Sequence, residues 1–243
     1  MTDPAPYRSR LVRSEVAAEG TIAFHFLKPE GFEFRPGQSI DVTLIDPPET
    51  DGEGNTRAFS IASAPFEGDL MIATRMRDTA FKRVLGKASA GIEVKIDGPS
   101  GSLVLRRKAD RPAVFLAGGI GITPFRSIVR QAACEKAAHQ LWLFYSNRRP
   151  EDAPFLDLFG ECARDNPRFH FIATMTQIDK SRRNWTGGRG FVTQSMLAQY
   201  LPAIQGPIYY LAGPPAMVTA MRHVLADAEV DEDDIRTEEF SGY

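Results

Sequence analysis

Residues 115–124 read FLAGGIGITP. An apolar run, 114–117, enters Gly118, Gly119 and Gly121 and leaves through Thr123-Pro124. Beyond it Phe125, Ile128, Val129, Ala132 and Ala133 recur at helical spacing. This predicts a buried strand, a glycine turn and a helix over 123–136, with Pro124 in the first turn, where a missing amide hydrogen costs least. Glycines let the chain turn tightly and let an anion approach the main chain. The free amides of a helix start favour a pyrophosphate there. A bare strand–helix turn also needs small residues, but three glycines in four positions ahead of Thr123-Pro124 favour the anion site. The spacing is not the GxGxxG of dehydrogenases, and their ribose-reading acid is missing. The second strand ends in Ser146-Asn147-Arg148-Arg149 instead.

Downstream, strand patterns at 140–145, 169–176, 208–212 and 235–240 alternate with helical patterns at 154–165, 193–200 and 214–226. Alternation of this kind predicts a parallel sheet with helices on both faces. A second strand-to-helix turn, LAGPPAM at 211–217, repeats the small-residue design. Carboxyl ends of such strands line a ligand crevice, although taken alone this turn reads as architecture as readily as site.

Upstream the period changes. Runs at 21–28, 39–44, 57–63, 70–76 and 91–97 alternate with period two and are separated by Gly, Pro and Asp turns. With one short helix pattern at 79–85, these predict an antiparallel barrel or sandwich. The segment 47–56, PPETDGEGNT, reads as a mobile acidic loop. The polar joint RRKADRP at 106–112 divides the chain into domains 1–107 and 108–243. Within RAFS at 57–60, Arg57 and Phe59 share one strand face and Ser60 the other. Only a twist, or a grip at the strand's end, brings all three to one ligand.

Composition narrows the classes. The 243 residues carry 29 basic and 31 acidic groups, 14 and 15 of them within 1–107. Neither half has the basic excess of a nucleic-acid binder. No apolar run approaches the ~18 residues of a membrane span. The start, 1–10, lacks the apolar stretch of a secretory signal. Cys134 and Cys162 are too few for an iron–sulfur cluster and form no CxxC; both read as buried small hydrophobes. His25, His139, His170 and His223 share no metal-ligand spacing, so no metal is expected. The reading is a reduced, cytoplasmic protein.

The order RAFS, DGPSG (97–101), AGGIGITP, LAGPP and a terminal EEFSGY (238–243) resembles the ferredoxin–NADP reductase superfamily over nearly the whole chain. The resemblance implies an antiparallel flavin-binding β-barrel followed by a parallel α/β nicotinamide nucleotide-binding domain. It implies that Arg57 neutralises a flavin phosphate, that Ala58 and Phe59 pack on the flavin, and that Ser60 hydrogen-bonds near flavin N5. The strand holding Thr74 and Arg75 passes the flavin's polar edge. Thr79, Phe81 and Lys82 belong to the pyrophosphate turn. Gly118, Gly119, Ile120, Gly121, Thr123 and Pro124 hold the nicotinamide nucleotide, flanked by Gly213, Pro214 and Met217. Phe240 or Tyr243 covers the flavin's other face, so the implied catalytic positions are Ser60, Phe240 and Tyr243.

Three departures stand out. The family's RxYS tyrosine is Phe59, the cysteine often found before GPP is Ala212, and the pyrophosphate-turn serine is replaced by Lys82. None removes a group that must do chemistry.

The implied activity is hydride transfer from NAD(P)H to bound FAD, with FMN the alternative, then electron delivery to an external acceptor such as ferredoxin or flavodoxin. A free-flavin or ferric reductase is the alternative, and a non-catalytic nucleotide-binding or docking subunit the reading from another class. No catalytic Ser/His/Asp constellation is needed, because the cofactors carry the chemistry. For the donor, Ser146, Arg148 and Arg149, helped by Lys180, Arg182 and Arg183, are candidates to read a 2′-phosphate. Thr176-Gln177 stands where NADPH-using relatives often show Ser-Arg, which tilts the reading to NADH. Arg75, Arg77, Lys82, Arg83 and Lys87 form either a dock for an acidic carrier or a solvated face. Glu239 is a candidate proton relay, with a solvated end as its plainer reading. Trp185 reads as a packing anchor.

Overall fold

The computed structural model describes residues 6–240. The first sheet holds β1 (Tyr7–Ala18), β2 (Thr21–Leu27), β3 (Ser39–Leu44), β4 (Thr56–Ser60), β5 (Asp69–Arg75) and β6 (Glu93–Ser100), with the helix α1 (Ala80–Lys87) after β5. Their order is β4-β3-β6-β1-β2-β5, and all pairings are antiparallel. Just past β4, the Ala62 amide donates to the Met71 carbonyl at 2.8 Å, tying the sheet's two edges together into a barrel. Phe24, Phe26, Ile40, Val42, Leu70, Ile72, Phe81 and Val94 fill its interior.

The second sheet holds β7 (Ala113–Gly118), β8 (Leu141–Asn147), β9 (Phe169–Met175), β10 (Gly188–Arg189), β11 (Ile208–Gly213) and β12 (Ile235–Glu239). The order is β10-β9-β8-β7-β11-β12, all parallel. The helices α2 (Thr123–Cys134) and α3 (Leu156–Asp165) bury Phe125, Ile128 and Phe159 on one face. The helices α4 (Gln194–Tyr200) and α5 (Pro215–Asp227) bury Leu197, Val218 and Leu225 on the other. The strands β7, β8 and β11 are buried throughout or nearly so, as a sheet covered on both faces requires. The order of strands reverses between β7 and β11, and a crevice opens beyond their carboxyl ends.

Two strands escape the sequence patterns. β1 turns only Ser9 and Leu11 fully inward and exposes most of its charged remainder, so it shows no apolar alternation. β10 has two residues. Of the cysteines, Cys162 is buried as expected, but Cys134 is exposed, because it sits at the last turn of α2 on the side away from the sheet.

The two sheets meet over small side chains. The outer face of β2 and β5 presents Ala23, Met71 and Ala73, which with Ala62 pack against Ile120 and Phe155. Beside this seam the Arg126 guanidinium of α2 donates to the Ala62 carbonyl at 2.7 Å and to both Glu67 oxygens at 2.7 and 3.1 Å. Burial alone would raise the Glu67 carboxyl, but its bonds to Arg126 hold it below the ordinary value. Ser127 Oγ donates to the Ser63 carbonyl at 2.6 Å. At the other end of the seam, Glu19 in the β1–β2 turn donates its amide to the Glu151 carbonyl at 2.8 Å. Among the described residues no helix is long and apolar enough to cross a membrane.

Candidate functional site

Two cavities open along this seam. The first, of about 340 Å³, lies at the barrel edge. Arg57, Ala58, Phe59 and Ser60 all line it. The strict alternation of a strand would have split them, but β4 ends at Ser60 and the cavity grips that end. Thr74, Arg75, Thr79 and Lys82 line it too. Thr79 caps α1, its hydroxyl accepting from the Lys82 amide at 3.4 Å. Lys82 Nζ donates to the Arg75 carbonyl at 2.8 Å, and burial, with Arg77 and Arg57 nearby, lowers its ammonium below the ordinary range. Phe81 does not face the cavity: it is buried in the barrel, 5.8 Å from the Phe59 ring, with the Arg57 guanidinium 5.3 Å above it. Phe81 is thus a floor under Arg57 rather than a ligand contact.

The acidic segment 47–56 is not a detached loop. Asp51 accepts from the Ala80 amide at 2.8 Å, at the start of α1, and from Arg57 at 3.2 Å. Glu53 pairs with Arg57 at 2.9 Å. The bond from Ala80 holds the Asp51 carboxyl below its ordinary value. Arg83 is engaged by Glu49 at 2.8 Å and Asp78 at 2.5 Å, so the basic group that includes it is already partly neutralised.

The second cavity, of about 610 Å³, lies over the carboxyl ends of the parallel strands. The sequence candidates Gly118, Gly119, Ser146, Arg148, Thr176, Pro214 and Met217 line it, with Gln177 of the Thr176-Gln177 pair, and with Asn147 and Phe191, to which the sequence assigned no role. Gly118 and Gly213 abut here: a Cβ on Gly118 would stand 2.2 Å from Met217 Sδ. A Cβ on Gly121 would stand 2.2 Å from the Ala212 carbonyl oxygen, so Gly121 serves the joint of two strands. Residues Gly119–Ile122 form one turn of 3-10 helix, which rolls Ile120 and Thr123 away from this cavity and into the wall of the first. Thr123 Oγ1 donates to the Ile120 carbonyl at 3.0 Å. Pro124, fully inside the first turn of α2, lines neither cavity. Of the glycine turn, then, Gly118 and Gly119 face the larger cavity, Ile120 and Thr123 the smaller, and Gly121 and Pro124 are architectural.

The basic residues beyond β8 divide. Arg148 is exposed at the cavity. Arg149 instead chelates Asp152 at 2.7 and 2.9 Å and faces Glu19. Arg182 pairs with Glu19, Arg183 with Asp157, and Lys180 reaches Gln177. Trp185 donates its indole N–H to the Gly188 carbonyl at 2.8 Å and packs on the core, a packing anchor as expected.

The cavities share Arg75 and Arg77 in their walls, and Arg75 reaches Asp152 at 3.4 Å. Near the junction Ser60 Oγ donates to Glu238 Oε1 at 3.0 Å. Burial pushes the Glu238 carboxyl up from its ordinary value, opposed by that bond. The acid of the C-terminal strand that turns to the barrel is Glu238, while Glu239, one residue on, is exposed. Phe240 donates its amide to the Gly213 carbonyl at 3.0 Å and lines the first cavity. Tyr243 lies outside the described residues.

The residues present fit two nucleotide ligands. The barrel corner offers a guanidinium, an ammonium and the amides of a helix start. The sheet crevice offers a glycine-lined backbone, and the buried side-chain amide nitrogen of Asn147 has no partner among the described residues. A buried donor of that kind is costly unless something accepts from it.

An antiparallel barrel with a cationic corner thus lies against a doubly wound parallel sheet with a glycine-lined switch point. Residues 115–223 match the family model of the oxidoreductase NAD-binding domain. Ferredoxin–NADP reductase B of Sorangium cellulosum is 30% identical over 234 residues, covering 92% of this chain and 93% of that protein. The phenol hydroxylase P5 protein of Acinetobacter pittii is 31% identical over 211 residues, covering 86% of this chain. The chain spans 58% of the length of that relative and about half of some others. The structure of a ferredoxin NADP+ reductase from Neisseria gonorrhoeae with bound FAD and NADP superposes with a TM-score of 0.79 at 21% identity, covering 98% of this chain and 99% of that one. The chain belongs to the ferredoxin–NADP reductase superfamily of FAD- and NAD(P)-binding reductases.

Proposed function

We propose that this chain is an NAD(P)H-dependent flavoprotein reductase. Its barrel domain, 1–107, holds FAD, and its α/β domain, 108–243, holds the nicotinamide nucleotide. The observation that carries this reading is the shared wall of the two cavities, with the Ser60–Glu238 pair beside it. Bound FAD and NAD(P)H supply the redox chemistry, hydride delivery followed by release of electrons singly. The chain's own residues bind and orient. Arg57, Lys82 and the start of α1 take the flavin's phosphates, and Phe59 supplies a plane at the ring. Ser60 presents a hydroxyl at the end of β4, and Glu238, whose carboxyl burial pushes up from its ordinary value, accepts from it. Gly118 and Gly119 let the donor's pyrophosphate close on the main chain, while Met217 and Pro214 wall its nicotinamide end. Phe191, exposed at the cavity rim, offers a stacking plane for a base.

NADH is favoured over NADPH. Of the five basic side chains that sequence offers to a 2′-phosphate, Arg149, Arg182 and Arg183 are paired with carboxylates, Lys180 reaches Gln177 of the wall, and Arg148 alone lines the cavity. The electron acceptor is external, a small carrier such as ferredoxin or an oxygenase partner, in the cytoplasm.

The test is direct. The purified chain, supplied with FAD, is expected to stay yellow through gel filtration or to rebind FAD, and to bleach anaerobically with NADH faster than with NADPH. A protein that stays colourless in excess FAD and FMN would sink the reading.

A further inference from the structure

The phosphate corner of the barrel is already spoken for by carboxylates of the chain itself. Asp51 accepts from the Ala80 amide, the first of α1, at 2.8 Å, and from Arg57 at 3.2 Å. Glu53 takes the same Arg57 nitrogen at 2.9 Å. The other terminal nitrogen of Arg57 donates to the carbonyls of Glu53, Gly54 and Thr56 at 2.8 to 3.0 Å. A phosphate needs the helix-start amide and the guanidinium, which are the two groups Asp51 bridges. Two carboxylates thus engage the one guanidinium, leaving Lys82 and Arg77 among the other cations of the corner.

The loop that carries them is closed at its base and uncrowded at its tip. The Leu44 amide donates to the Asn55 carbonyl at 2.9 Å, and Asn55 Nδ2 donates to the Leu44 carbonyl at 2.8 Å, which closes the base. At the tip each acid precedes a glycine, Asp51-Gly52-Glu53-Gly54, and Gly54 adopts φ +76°. A Cβ on either glycine would meet nothing within 4 Å. The Glu53 side chain is 71% exposed.

On the flavoprotein reading above, we propose that Asp51 and Glu53 form an internal phosphate mimic that competes with the flavin's phosphate groups for Arg57 and the α1 start. The chain therefore weakens its hold on phosphorylated flavins and discriminates less between them and riboflavin than its cationic corner would on its own. Flavin retention is set by how readily this loop lets go, and a flavin that exchanges is one the protein can pass on as well as keep.

The experiment measures Kd for FAD, FMN and riboflavin by flavin fluorescence quenching in the wild type, Asp51→Asn and Glu53→Gln. Asparagine retains an acceptor for the Ala80 amide, and Glu53 touches little beyond Arg57, so thermal melts should show both variants folded. Both should bind FAD and FMN about three- to tenfold more tightly than the wild type, with riboflavin unchanged, as loss of a partly screened like-charge contact requires. FAD binding that is unchanged or weaker in both variants overturns the proposal, as does equal tightening of riboflavin, which carries no phosphate. A wild type that binds none of the three overturns the flavin reading itself, an outcome distinct from the others.

Discussion

The barrel and the sheet each offer a place for a phosphate, and they are made by opposite means. The barrel corner uses side-chain charge: Arg57, Lys82 and the start of α1, with Asp51 and Glu53 set against them. The sheet turn uses almost none. Gly118 and Gly119 bring backbone to the cavity wall, Gly121 holds the joint behind them, and the nearest atoms to Gly118 and Gly121 are Met217 sulfur and the Ala212 and Gly213 main chain. A charged corner can be tuned in small steps by adding or removing a charge. A corner made of backbone fails by collision, because close-packed neighbours have nowhere to go.

The comparison breaks most severely at Gly121. In Gly121→Val the new Cβ would lie 2.2 Å from a backbone oxygen that cannot turn aside. It is expected to cost about 3 kcal/mol in a thermal or urea melt and to raise KM for the nicotinamide nucleotide more than tenfold. A fully stable Gly121→Val with normal KM would show that the joint of β7 and β11 has slack. Next in size, Arg57→Ala is expected to weaken FAD about 10- to 100-fold by removing a charge-assisted contact, with KM for the donor little changed. Retention of FAD by this variant would mean that the helix start and Lys82 suffice.

The seam between the two halves gives a third, intermediate effect. Glu67→Gln leaves the Arg126 guanidinium, 10% exposed, without its charge partner and is expected to cost about 2 kcal/mol at neutral pH. The Glu67 carboxyl lies below its ordinary value of 4.5 in the folded chain, so its contribution is present above pH 4.5 and fades as pH falls through the folded value. Melting temperature against pH should therefore drop less steeply on the acid side in Glu67→Gln. Identical acid slopes in the two proteins would assign the loss to packing. Smallest, Phe191→Ala is expected to raise KM for the donor about fivefold with kcat unaltered, as loss of one stacking plane predicts.

The glycine turn and RAFS stood out because each is a run of consecutive residues, although the turn divides its residues between two cavities and a strand joint. Most elements were legible for the same reason, since period two or 3.6 is a property of consecutive residues. β1 was not, because its charges face water and two inward side chains make no pattern. Glu238 was missed in favour of Glu239 because only strand register decides which of two adjacent acids turns inward, and its partner Ser60 lies 178 residues away. Asp51 lay in a stretch whose composition suggests solvent; its role comes from α1, whose start happens to be left open to it. Arg149 looked like a phosphate reader until Asp152, three residues on, folded back to claim it.

Arg75 closes off one chamber and opens another. Its guanidinium stands in the partition between the two cavities and leans on Asp152 across the seam. Whatever a first guest draws from that side chain is withheld from a second. By thermodynamic reciprocity the second then alters the grip on the first by the same factor. On the two-nucleotide reading, loading of one room would bear on the other through the side chains both walls share, Arg75 and its neighbour Arg77.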